Sequence, residues 1–305
     1  MLDLSREILA DYQVRKTKKQ KLRFIEFLKG YMPDLKIEEG GFPRNRNIVV
    51  GDISRAKVIL SAHYDTCAVL PFPNFITPKN FLFTILYSLL ICIPFLAVLV
   101  VAELLLSYYT DNYFINFFVP WLLMVGLMLL VFMGGKPNKH TANDNTSGVI
   151  TLCELMGSLS IEQRSEVAFV FFDNEENGLL GSSFFRKKHK NEIKDKLLIN
   201  FDCVSDGNNV LLVLNRTAEN LFGNAVSNTF VSVEDKEVHI CKSSNTFYPS
   251  DQMGFPVNMA VSTLKKNRIL GLYMDRIHTG RDTVFEEGNI EFIVSRIKSL
   301  IGLIL

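Results

Sequence analysis

Three carboxylates, Asp173, Glu175 and Glu176, fall at the end of the stretch Val167–Gly178, which reads VAFVFFDNEENG. Adjacent Glu175 and Glu176 leave an extended or turning backbone in different directions, so one can hold a cation while its neighbour moves a proton. Alone, such a cluster reads more readily as a solvated polar turn after a buried strand. Its chemistry gains weight from what lies elsewhere. His63 and Asp65 directly follow the apolar run Val58–Ala62. A carboxylate two residues beyond a histidine can accept the proton of the ring nitrogen turned away from a metal, fixing tautomer and orientation. Asp144 precedes a helical pattern, where it suits a helix cap or a ligand. Asp202 ends the apolar run Lys196–Phe201, and His278 follows Leu270–Met274. Two imidazoles with these carboxylates can hold a pair of divalent ions if one carboxylate bridges. Nitrogen and oxygen donors without thiolate suit catalytic zinc, with cobalt or manganese as permitted substitutes. A paired site clamps attacking and leaving oxygens and acidifies water, and a remaining carboxylate can take the proton.

These residues need a scaffold that brings loops together. Val167–Phe172, Val58–Ala62 and Lys196–Phe201 are short runs rich in β-branched and aromatic residues, as expected of strands buried on both faces. Asn47–Val50, Val210–Leu214 and Glu237–Cys241 add strands, and Val149–Leu159, Leu179–Lys188, Ala218–Phe230 and Ile290–Leu305 read as helices. The alternation predicts an α/β fold, and ligands in open α/β sheets gather beyond the carboxyl ends of strands. Leu4–Tyr31 shows helical spacing. Its Lys-rich middle, Arg15–Lys21, reads as a solvated helix face or a contact for lipid headgroups.

Composition narrows the function. The 305 residues carry 33 basic and 32 acidic side chains, a balance that gives no reason to expect nucleic acid as partner. Five cysteines, an odd count without Cys-x-x-Cys spacing, fit a reducing compartment rather than a disulfide framework. The opening MLDLSRE is not that of a secretory signal.

Two runs break the α/β pattern. Phe81–Ala102 and Phe114–Met133 are long and apolar enough to cross a bilayer, even with Pro94 and Pro120 inside them. The domain expectation is therefore a discontinuous catalytic unit, 1–78 and 134–305, interrupted by a transmembrane hairpin at 79–133. Lys79, Lys136 and Lys139 flank the hairpin on the catalytic side, whereas Ser107–Tyr113 has no Lys or Arg. Basic residues concentrate on cytoplasmic loops, so the expected protein is a multi-pass cell-membrane protein with catalytic domain and both termini cytoplasmic.

Taken in order, His63-Tyr64-Asp65, Asn143-Asp144-Asn145-x-Ser147-Gly148, Phe172-Asp173-x-Glu175-Glu176-x-Gly178, Asn200-x-Asp202, Ser250-Asp251 and His278-Thr279-x-x-Asp282-Thr283 resemble the dizinc exopeptidase family. That family holds bacterial leucyl aminopeptidases, aminopeptidase Y and glutaminyl cyclases. The resemblance covers nearly everything outside the hairpin. It implies a three-layer α/β/α domain with a mixed, mostly parallel sheet and two zinc ions. It also implies that Asp144 bridges them, that His63 and Asp202 complete one site, and that Glu176 and His278 complete the other. Glu175 would be the general base, Asp65 the orienter of His63, and the peptide after Asp144 cis. Two departures stand out. Gln252 follows Ser-Asp where the family often has His, and the His63–Asp144 connection, short in the family, here contains the whole hairpin. The active-site mouth is therefore expected to face the bilayer.

The expected activity is that of a membrane-anchored metallo-aminopeptidase acting on peptides with a free N-terminus. A glutaminyl cyclase-like acyltransferase is the neighbouring alternative. It is disfavoured because the resemblance implies a tryptophan-lined pocket, and the single tryptophan, Trp121, lies in the second apolar run. A catalytically inactive receptor or scaffold is the third, disfavoured because no ligand position is lost.

Overall fold

The computed structural model describes residues 1–305. In chain order the elements are α1 (Asp3–Asp11), α2 (Lys18–Tyr31), β1 (Lys36–Gly40), β2 (Asn45–Val50) and β3 (Val58–His63). There follow α3 (Phe81–Tyr109), α4 (Tyr113–Phe132), a tight helical turn Ala142–Ser147, α5 (Gly148–Ser158), α6 (Ile161–Ser165) and β4 (Val167–Phe172). The remainder comprises α7 (Leu180–Lys188), β5 (Leu197–Phe201), β6 (Asn209–Leu214), α8 (Arg216–Thr229), β7 (Glu237–Lys242), β8 (Asn258–Asn267), β9 (Gly271–Tyr273) and α9 (Glu287–Ile304).

The strands form one sheet in the order β1-β2-β4-β3-β5-β8-β6-β7, with β9 on β8. Its centre, β4-β3-β5-β8, is parallel, and antiparallel pairs join on both flanks. Alternate residues of one strand enter different cores, as the two-residue period of a strand requires. Val58, Leu60 and Ala62 join the larger core beneath α1, α2, α5, α8 and α9, whereas Ile59 points to the opposite face with Phe172, Phe185 of α7 and Phe255. Burial of each such Leu, Ile or Phe contributes about 1.5–3 kcal/mol. The result is the three-layer α/β/α arrangement with a mixed sheet and a parallel centre that the resemblance implies.

The N-terminal segment departs from its sequence pattern. Leu4–Tyr31 is two helices, because Thr17 and Gln20 form a reciprocal capping box that starts α2 afresh. The Lys-rich middle is not a uniformly solvated face. Arg15 is fully buried and Lys21 is 6% exposed. Two strands carry weak local signals: β1 is a charged edge strand, and β8, a central one, interleaves Ser262, Thr263 and two lysines with its apolar residues.

The hairpin α3–α4 projects from the connection after β3. Both helices are long and apolar enough to cross a membrane, and most of their apolar surface is exposed. Asn80 and Asn112 cap their N-termini. α3 continues through Tyr109, so Glu103 lies inside the helix rather than just beyond the expected end of the run.

The chain leading into the hairpin is fastened as a strap over the end of the sheet-bearing part of the chain. Val69 N–H donates to Lys136 O, and Leu70 N–H to His278 O at 2.7 Å. Ile76 and Met274 exchange backbone hydrogen bonds, each 3.0 Å long. Phe72 and Phe75 then lean on the hairpin, with ring centroids 5.9 Å from Phe132 and 5.1 Å from Tyr87.

Candidate metal centre

Parallel strands end their chains on one side of the sheet, and the turns there converge. His63 closes β3, Glu175 and Glu176 follow β4, and Asp202 follows β5. Asp144 arrives from the turn before α5, and His278 from the loop after β9. All five sequence-expected ligands and Glu175 meet in one pocket.

Its geometry centres on Asp144. Asp144 Oδ1 lies 3.3 Å from His63 Nε2, and Oδ2 lies 2.9 Å from His278 Nε2. One carboxylate thus offers a separate oxygen to each imidazole. On one side Asp202 Oδ1 is 3.6 Å from His63 Nε2, and on the other Glu176 Oε2 is 3.2 Å from His278 Nε2. Ligand atoms of His63, Asp144 and Asp202 cluster closely enough to share an ion, as do those of His63, Glu175 and Glu176. Cys67 Sγ joins Glu176 and His278 in a third such cluster. Sequence spacing gave no hint of this thiol, because it reaches the site only through the path of the strap.

Outer groups hold these residues in place. His63 Nδ1 lies 3.1 Å from the backbone carbonyl of Asp65 and 3.7 Å from its carboxylate. That carboxylate accepts the backbone N–H groups of Glu175 and Glu176, at 3.0 and 3.3 Å. Asp282 accepts those of Asn143 and Asp144, at 2.8 and 3.0 Å. Asn145 ties the Asp144 turn to β5 through Phe201 O and to Cys203 N, and the Asp144–Asn145 peptide is cis. Asp173 stands apart, as a structural partner of Lys21 Nζ at 2.6 Å and Arg46 N at 2.9 Å. His278, Cys203 and Asn174 have φ near +57°, a left-handed conformation that packing must enforce in residues with a side chain. Each lies at the site or beside one of its ligands.

Electrostatics reveal a deficit of positive charge. Burial, reinforced by the nearby carboxylates, raises Glu176 to about 8. Burial also lifts Glu175 well above the carboxylate range and Asp251 to about 7. For the histidines burial works downward, but it is outweighed. Glu175, Asp144 and Asp202 hold His63 well above its ordinary value, and Glu176 and Asp144 bring His278 to about 9. Without cations the pocket recruits protons instead. Glu176 Oε1 is moreover buried with no hydrogen-bond partner. A buried oxygen without a donor, amid N/O ligands in clusters, fits divalent ions. Beside the ligands lies a cavity of about 120 Å³ whose apolar wall includes Ile76, Met274, Ile277 and Tyr248.

Fold and site together define an α/β protein whose strand ends gather a buried cluster of histidines and carboxylates able to hold divalent ions. Among solved structures the chain is similar to the LapA aminopeptidase of Legionella pneumophila, at 13% identity over 99% of this chain and 68% of that one, with a TM-score of 0.56. LapB of the same organism is similar at 12% identity over 98% and 69% of the two chains, TM-score 0.57. Glutaminyl cyclase of Porphyromonas gingivalis is similar at 15% identity over 99% and 96%, TM-score 0.59. At such identities the shared property is the fold. No curated protein matches the sequence. The model of peptidase family M28 matches residues 130–290, more than half of the chain, and the chain belongs to that family.

Proposed function

We propose that this M28 peptidase is a membrane-anchored, dizinc aminopeptidase, with catalytic parts 1–78 and 134–305 around a transmembrane hairpin at 79–133. The observation that carries the reading is Asp144, one carboxylate facing both imidazoles through different oxygens. In this reading Asp144 would be the ligand shared by both ions, His63 and Asp202 would complete one ion's set, and Glu176 and His278 would complete the other's. Two Zn²⁺ ions, or Co²⁺ or Mn²⁺ in their place, supply Lewis acidity that polarises the scissile carbonyl and acidifies water. Glu175, whose amide is fixed by Asp65, accepts the proton of the attacking water and passes it to the leaving amine. Carboxylates at the cavity, Glu175 and Asp202 among them, give the free ammonium of an N-terminus a favourable environment. Ile76 and Met274 offer its side chain an apolar wall.

Membrane anchoring is supported by the length and hydropathy of α3 and α4 and by their exposed apolar surface. Lys79, Lys136 and Lys139 beside the hairpin, against a link without Lys or Arg, support a cytoplasmic catalytic domain with both termini on that side. The hairpin leaves the sheet on the same side as the ligand turns, and the strap brings Asn74 and Ile76 to the cavity. The mouth therefore opens close to the bilayer surface. The fold match to a glutaminyl cyclase keeps N-terminal cyclisation as the competing reading. Against it, Trp121 lies on α4, away from the cavity wall.

Purified protein in detergent tests this directly. It should contain close to two metal ions and release the amine from aminoacyl anilides, but not from their N-acetyl forms. Asp144→Ala should lose both ions. Glu175→Gln should keep them while turnover falls by roughly a hundredfold or more. Conversion of N-terminal glutamine to pyroglutamate without hydrolysis, or near-normal turnover in metal-replete Glu175→Gln, would refute the assignment.

A further inference from the structure

A second polar cavity, of about 380 Å³, opens between the start of α2 and the β1–β2 turn, and apart from Pro43 its lining is charged or polar. Five of its residues are cations: Lys16, Lys18, Lys21, Arg44 and Arg46. The carboxylates near them are already engaged. Asp173 pairs with buried Lys21, and Glu39 pairs with Arg44 and Arg46. Lys16 and Lys18 form no ion pair, so the pocket keeps an excess of positive charge at its rim over a lysine floor.

Its position supplies the ligand class. Lys16 Nζ donates to the carbonyl of Met133, the residue that caps α4 where the apolar run ends. The rim therefore stands level with the point at which the hairpin leaves its apolar stretch, within a lysine side chain of it. A phosphate presents several oxygens to a fork of lysine and arginine donors at once, and the negatively charged leaflet surface is where such groups are concentrated. We propose that this pocket binds the phosphate of an anionic lipid headgroup in the leaflet adjoining the catalytic domain. The assignment rests on the hairpin being a membrane span.

The test uses the full chain in neutral detergent, titrated with dioctanoyl phosphatidylglycerol, dioctanoyl phosphatidylcholine, glycerol 3-phosphate or inorganic phosphate, with binding read by native mass spectrometry. The anionic lipid should bind at least tenfold tighter than the zwitterionic one and than either water-soluble phosphate. Lys16→Ala/Lys18→Ala should lose about tenfold in that affinity while keeping its metal content and its turnover of small aminoacyl substrates. On the unaltered protein, affinity should fall steeply as NaCl rises from about 50 to about 500 mM. Equal binding by the double variant, salt-independent affinity, or inorganic phosphate binding as tightly as the lipid would each overturn the proposal. Alkaline carbonate washing separates the two readings. Release of the unaltered protein from membranes would overturn the hairpin reading on which the pocket depends, whereas retention with failed lipid binding would overturn the pocket alone.

Discussion

Arg15→Met should be among the most damaging single changes outside the proposed metal ligands themselves. The guanidinium has no exposed surface. Nε donates to the carbonyl of Tyr64, between His63 and Asp65, and Nη1 donates to the carbonyl of Tyr12. Both terminal nitrogens lie 3.2 Å from Thr146 Oγ1, two residues beyond Asp144. One side chain thus ties the N-terminal linker to the two turns that carry His63 and Asp144. Burial lowers its pKa to about 10, opposed by Asp65 and Asp144, and it stays charged at neutral pH. Methionine fills much of the volume but leaves the carbonyls of Tyr64 and Tyr12 without this donor, each costing about 1–3 kcal/mol, while the Thr146 hydroxyl keeps only Thr141 Oγ1 at 3.2 Å. Relief from burying a cation returns part of that. The net loss is about 3–5 kcal/mol, the range for breaking a buried charged network. For a domain of this size it corresponds to a fall of roughly 6–20 °C in Tm. Thermal unfolding in one detergent, with metal chelated in both samples, measures the difference without a contribution from ion binding. A loss below about 1 kcal/mol would refute the reasoning, and with it the view that the linker organises the site.

Two further outcomes follow from the same geometry. Glu176 at about 8 and His278 at about 9 bind protons more tightly in the folded chain than in the unfolded one. Their contribution to metal-free stability is present at low pH and lost as pH rises through 8 to 9. Ion binding must displace those protons, so the gap in Tm between metal-loaded and chelated protein should widen from pH 6.5 to 9, and a narrowing gap would contradict the ligand roles of this pair. A cysteine at Asn112, in the link between α3 and α4, should react with a membrane-impermeant thiol reagent on intact cells, and labelling only after lysis would reverse the orientation.

Much of the site was legible because its chemistry is written locally. His63, Glu175, Glu176 and Asp202 directly follow apolar strands, and a parallel centre makes such turns converge. What stayed hidden depends on distant partners. Arg15 and Lys21 sit in a stretch that looks solvated, and only Asp65, Asp173 and the Tyr64 carbonyl explain their burial. β8 was obscured by Ser262 and Thr263, whose hydroxyls are satisfied by the Cys203 carbonyl rather than by water. Cys67 and Asp282 act across the strap and the Asp144 turn, and neither contact has a local signature.

The place of β3 in the sheet also dictates an order of events during synthesis. Both of its neighbours, β4 and β5, lie beyond the hairpin in the chain, and β2 likewise waits for β4. When His63 emerges from a ribosome, only the β1–β2 pair can form. About 110 residues separate His63 from Phe172, the end of β4. At about 5–20 residues per second, β3 waits roughly 5 to 20 s for its first partner. During that interval both apolar helices are made, and if the hairpin spans a bilayer, as proposed, the unpaired strand is tethered at the membrane. Insertion would then precede assembly of the sheet, and the metal ligands, drawn from both sides of the hairpin, could come together only after the protein had reached its membrane.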